Sequence, residues 1–201
     1  MKKLLPLLLA LCLLFAACGE KQPNVTTGSA ASEQTEDTLA PLTIDTEPAV
    51  TPTETRIHFA AVGDNIGHAS GDVTAAALAT GDKKYDFTEI YAGIAGRAGA
   101  ADIAFVNQEA PVGGEELGIS GYPNFNAPHE VVEGLMGAGF DVFNIANNHM
   151  LDKGAKGYIN TIAYFNTLPV TMIGGYTKSD YDNIRTLECK GVKLAFLSYT
   201  T

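Results

Sequence analysis

The 201-residue chain has no tryptophan, only three cysteines, and 13 basic residues against 23 acidic ones. A net charge of −10 without a basic stripe speaks against nucleic acid as a partner. The cysteines cannot build a disulfide framework. Cys12 lies inside an N-terminal apolar run, Cys18 just after it, and Cys189 far away, where it reads as a small core residue. The longest apolar run, residues 4–17, is broken by Pro6 and is shorter than the roughly 20 residues a membrane-spanning helix needs. The stretch 113–121 reads as a loop, and Gly113 to Glu116, which lack the Gly-Lys-Ser/Thr that lets a P-loop cradle phosphate, as a mobile part of it.

What is present at the N-terminus is a targeting pattern. Lys2 and Lys3 precede the apolar run, and Phe15-Ala16-Ala17-Cys18 closes it. Charge, apolar core and small residues are the parts of a secretory signal. Small residues just before a cysteine resemble a bacterial lipobox, although Phe15 stands where leucine is usual. The pattern predicts a lipoprotein signal peptide over 1–17 and lipidation, palmitate included, at Cys18. The protein would then be lipid-anchored on the extracytoplasmic face of the cell membrane. Several acyl chains anchor firmly where one binds only marginally.

Residues 18–55 read as a linker. Between 19 and 55 there are nine threonines, four prolines, seven acids and no aromatic residue. Such a segment cannot bury enough apolar surface to offset its ordering entropy, and proline with like charges keeps it extended.

From residue 56 the pattern alternates. Apolar runs at 57–62, 101–107, 140–146 and 170–173 read as strands, and 74–79, 87–98, 128–136 and 154–166 as helices. Ile159, Ile162 and Ala163 form the expected inward face of the last helix. Residues 185–189 and 192–199 read as a hairpin around Lys190-Gly191. Strand–helix–strand alternation predicts an α/β fold with parallel pairing. The core-like run 194–199 stops two residues before the end with no helix to cover it, so residues 56–201 read as a partial domain.

Three of the apolar runs deliver polar residues at their carboxyl ends: Gly63-Asp64-Asn65, Asn107-Gln108-Glu109 and Asn147-Asn148-His149. Ligands of open α/β sheets sit beyond these ends. Carboxylates with a carboxamide and an imidazole suit a hard or borderline divalent cation, with manganese, zinc and iron all compatible. Each residue also has a plainer reading. Asp64 could cap its own turn, Glu109 could be a solvated strand-end charge, and Asn148 could hold a left-handed turn. His68 and Asn65 lie close enough in sequence to approach such a site. His58 reads as a hydrogen-bonded core histidine within a strand, and His129 as a surface residue at a helix start.

The order of Val62-Gly63-Asp64, Asn107-Gln108-Glu109, the run from Ala146 through Asn147-Asn148-His149 to Asp152-Lys153-Gly154, Gly174-Gly175 and the late stretch 193–200 resembles the CapA family of bacterial capsule and poly-gamma-glutamate synthesis proteins. The resemblance implies an αββα-sandwich of metallophosphoesterase type over 56–201. It implies Asp64, Glu109, Asn148 and His149 as metal ligands, His149 as a candidate proton donor to a leaving group, and Asp152 as the residue that orients it. It also suggests that Asn126 and Pro128 line the cleft. Downstream histidine and glutamate motifs of the family are not in this chain, so a full two-metal ligand set is not expected. The functions implied are a membrane-anchored hydrolase acting on a phosphoester or an anionic polymer, or a non-catalytic member of a polymer-export complex. An inactive fragment is the third reading.

Overall fold

The computed structural model describes residues 54–201, which belong to one compact unit. The expected signal peptide over 1–17, Cys18 and the expected linker up to residue 53 lie outside the described residues. Four strands, β1 (Phe59–Asn65), β2 (Ile103–Gln108), β3 (Val142–Asn144) and β4 (Thr171–Ile173), form a parallel sheet in sequential order. Helices α1 (Ala69–Leu78) and α2 (Thr88–Ala98) join β1 to β2, α3 (Glu130–Gly137) joins β2 to β3, and α4 (Gly154–Phe165) joins β3 to β4. A short 3-10 turn, Glu115–Leu117, interrupts the loop after β2. The last two strands, β5 (Arg185–Cys189) and β6 (Val192–Phe196), make a separate antiparallel hairpin. Lys190 and Gly191 both have positive φ, as a two-residue hairpin turn of matching twist requires.

Side-chain alternation divides the sheet cleanly. Ala104, Val106, Phe143 and Met172 face a helical layer through Val131, Leu135, Ile162 and Phe165. Ile103, Val142 and Ile173 face the other way, where Leu187, Cys189, Leu194 and Phe196 of the hairpin pack on them. The order of layers is therefore helix, sheet, hairpin. Cys189 is a free, half-buried member of that second cluster.

Several expectations need correction. The third strand is three residues long rather than seven. Asp141 keeps backbone hydrogen bonds to Ala104 and Thr171 but uses its side chain to accept the N–H of Ala104, and Asn144 turns its own amide onto Ala146. The inward face of α4 is Gly157, Thr161, Ile162 and Phe165, whereas Ile159 is 58% exposed and Ala163 is also outside. Thr161 is tolerated inside because its hydroxyl donates to the carbonyl of Gly157 at 2.8 Å. His58 is not a core residue: it is exposed and precedes β1, and its backbone N–H donates to Asp102. The loop 113–121 is not loose. Buried Asn126 accepts from the N–H of Gly113 and donates to the carbonyls of Gly114 and Gly118, while Asn160 donates to Gly113 and Glu116.

Candidate metal centre at the strand ends

The site begins with an irregularity in β1. Val62 pairs with Val106, but the next partner of Asn107 is Asp64, so Gly63 is an extra residue. One inserted residue reverses which face every later side chain takes. Without it, Asp64 would follow Ala60 and Val62 onto the helical face. With it, Asp64 shares a face with Asn107, whose Nδ2 donates to Asp64 Oδ1 at 2.7 Å. Asn65 is thereby sent to the helical side. There its carboxamide donates to Gln108 Oε1 and accepts from the hydroxyl of Tyr91, both partners being protein groups. Asn65 is accordingly a packing residue.

Glu109 follows β2 directly and is 8% exposed. Its Oε2 is buried and has no hydrogen-bond partner. Burial, and then the carboxylate of Asp64 beside it, push its carboxyl above the ordinary glutamate range, while His149 pulls the other way. Two facing carboxylates need either a shared proton or a cation.

His149 is held from three directions. Its backbone N–H donates to Asn147 Oδ1, and Asn147 in turn donates to the carbonyl of Gln108, which straps this turn to the end of β2. The ring of buried Phe125 meets the imidazole edge-on, 4.7 Å between centroids and 86° between planes. Asp152 Oδ2 lies 2.9 Å from His149 Nδ1 and also accepts the N–H of Phe125 at 2.7 Å. A carboxylate only accepts, so the Nδ1 hydrogen points to Asp152, and in the neutral imidazole this tautomer leaves the lone pair on Nε2. That Nε2 is 3.7 Å from Glu109 Oε1. Glu109 thus stands between two neighbours, the Asp64 carboxylate on one side and the His149 imidazole on the other.

The sequence-predicted residues are therefore largely brought together. Asp64, Glu109, His149 and Asp152 meet at one rim, and Asn148 sits on the same turn, exposed. His129 stacks on Tyr164 at 3.6 Å and contacts the carbonyl of Val112, in a packing role. Pro128 and Asn126 are fully buried under the loop rather than lining a cleft. His68 is exposed, 6.3 Å from the ring of Phe125. Asn107, Asn144 and Asn147 were not singled out as site residues by the sequence, because an asparagine in or after a strand shows its role only once the cross-strand register is known.

As a donor set, an orphaned buried carboxylate oxygen, a second carboxylate and an imidazole nitrogen suit a divalent cation. Among the described residues, however, no three or more His, Cys, Asp or Glu side chains stand close enough together to hold a metal ion by themselves. Asn148 or solvent would have to supply further ligands. A cleft of about 280 Å³ opens between Ala146, Gly174, Tyr176, Leu197, Ser198 and Tyr199, and none of the proposed ligands lines it.

A parallel α/β sheet with acidic and imidazole side chains gathered at its carboxyl edge defines the class of protein. The sequence model described as "Bacterial capsule synthesis protein PGA_cap" matches residues 58–201, and the chain belongs to that family. Over 78 residues it is 40% identical to "Capsule biosynthesis protein CapA" of Bacillus anthracis, a match covering 38% of this chain and 19% of that relative. The matched stretch thus spans about a fifth of the relative's length.

Proposed function

We propose that the chain is a lipid-anchored, extracytoplasmic CapA-like protein that uses a divalent cation at the Asp64–Glu109–His149 rim in the synthesis or export of a capsule polymer such as poly-gamma-glutamate. The observation that carries this reading is the buried, unpartnered Oε2 of Glu109, facing a second carboxylate and an imidazole. The fold is read as the first part of an αββα-sandwich of metallophosphoesterase type. Packing of the β5–β6 hairpin against the non-helical face supports this, because it begins a second β layer.

Asp64, Glu109 and His149 Nε2 would hold the cation, with Asn148 reaching in from its exposed turn. When bound, such a cation polarises a scissile phosphoester or amide and lowers the pKa of its water. The chain's own residues do the rest. Asp152 fixes the imidazole orientation and its tautomer, Phe125 blocks rotation of the ring, and Asn147 sets the distance of the turn from β2. Unliganded, His149 Nε2 is placed to take or return a proton at the mouth of the site.

A non-catalytic role in a polymer-export complex is the second reading. It is favoured by the incomplete ligand set and by the acidic surface, which repels an anionic polymer unless a cation bridges the two. The two readings separate in one pair of assays. Metal-dependent phosphodiesterase turnover, lost in Asp64→Ala and His149→Ala, supports the hydrolase. Full polymer production by cells carrying these variants would exclude catalysis at this rim.

A further inference from the structure

We propose that Asn107, Asn144 and Ser198 form a positioning relay that fixes the Asp64 carboxylate for its cation and ties it to the hairpin layer. The inference rests on the metal reading of the rim. Asp64, Asn107 and Asn144 occupy one cross-strand row, paired in register across β1, β2 and β3. Asn144 Nδ2 donates to Asn107 Oδ1 at 2.8 Å, and Asn107 Nδ2 donates to Asp64 Oδ1 at 2.7 Å. At the far end, the hydroxyl of Ser198, two residues beyond β6, donates to Asn144 Oδ1 at 2.6 Å.

The direction of this chain of hydrogen bonds is not arbitrary. A carboxamide can be turned end for end, so its orientation has to be fixed by a group that cannot reverse. Ala146 provides that group. Its backbone N–H, which can only donate, faces Asn144 Oδ1 at 3.2 Å, and its carbonyl, which can only accept, faces Asn144 Nδ2 at 3.3 Å. The Asn144 amine must therefore point to Asn107. The Asn107 oxygen is then engaged, and its amine must point to Asp64. Ser198 adds a second donor on the oxygen side of Asn144 and strengthens the same polarity. The consequence is a carboxylate held by a donor on one oxygen, with its remaining lone pairs left for the rim. Ser198 acts on Asp64 through Asn144 and Asn107, with no direct hydrogen bond to the proposed ligands.

Three substitutions of the full chain test the relay: Ser198→Ala, Ser198→Thr and Asn144→Asp, titrated with Mn²⁺ by calorimetry. The Asn107 side-chain amide is followed by NMR without metal. Ser198→Ala is expected to move the Asn107 amide signal and weaken Mn²⁺ binding about fivefold, the scale of one neutral hydrogen bond. Ser198→Thr keeps the hydroxyl and restores both. Asn144→Asp removes the amine, turns Asn107 around and sets its oxygen against Asp64, so Mn²⁺ binding weakens by about tenfold or more. A new negative charge alone would tighten cation binding, so weakening reports the relay. An unmoved Asn107 signal, or Asn144→Asp binding Mn²⁺ as tightly as the wild type, overturns the relay and leaves the metal reading standing. A wild-type chain that takes up no Mn²⁺ overturns the metal reading and the relay's purpose with it.

Discussion

Asp152 Oδ2 accepts two hydrogens at once, from the ring of His149 at 2.9 Å and from the backbone of Phe125 at 2.7 Å. One oxygen therefore fixes both the imidazole and the segment whose aromatic ring supports it. Replacing Asp152 with alanine strands a backbone N–H and frees the imidazole. We expect a stability loss of about 2 kcal/mol in denaturant unfolding, with Asp152→Asn intermediate because a neutral oxygen can still accept. A slowly exchanging Nδ1–H signal is expected for His149 in the wild type and should be lost in the alanine variant. Any metal-supported activity should drop about 10- to 100-fold, as when an outer partner of a liganding histidine is removed.

Glu109 gives a stability prediction with a definite sign. Burial, then Asp64, raise its carboxyl above the ordinary value of 4.5. The folded state then binds the proton more tightly than the unfolded chain. Its contribution is fully present below 4.5 and is lost as pH rises through the raised folded value. Metal-free Glu109→Gln should therefore be more stable than the wild type at neutral pH, by about 1 kcal/mol. Thermal unfolding across this pH range, with and without Mn²⁺, measures it, and added cation should stabilise the wild type more than the variant.

Asp180 should behave in the opposite way. Its side chain accepts from the hydroxyl of Thr177, from Arg185 and from the backbone of Thr177, which lower its carboxyl from 3.8 to about 2. The stability it supplies is present above 3.8 and is lost as pH falls toward about 2. Asp180→Asn should lose stability at pH 7 and show a shallower acid limb in an unfolding series.

Two glycines near the rim should respond differently to alanine. Gly174 has φ +78°, and an added Cβ would lie 2.7 Å from the nitrogen of Ala146 and 2.9 Å from Asn144 Oδ1. Gly174→Ala should cost about 2–4 kcal/mol and disturb the Asn144 carboxamide. Gly63, the inserted residue of β1, has open space around its Cβ position and no positive φ. Gly63→Ala should change stability by only about 0.5 kcal/mol, measured by the same unfolding curves.

The contrast between those glycines also shows what sequence can reveal. The strand ends carrying Asp64, Glu109 and His149 were legible because buried parallel strands are continuous apolar runs whose sudden polarity stands out. The extra residue at Gly63 was not, since a bulge exists only relative to a partner strand. Nor was the inward face of α4, where Gly157 is buried by close approach to Gly113 and Thr161 is buried with its hydroxyl satisfied by Gly157, neither by hydrophobicity. The Asn107–Asn144–Ser198 row depends on register between segments far apart in sequence, so no local pattern announces it.

The most direct measurement is calorimetric titration of the full chain with Mn²⁺, beside Asp64→Asn and Glu109→Gln. Saturable binding by the wild type, weakened about tenfold or more by each substitution, is the predicted result. A wild type indifferent to Mn²⁺, or variants that bind it equally well, would contradict a cation site at this rim.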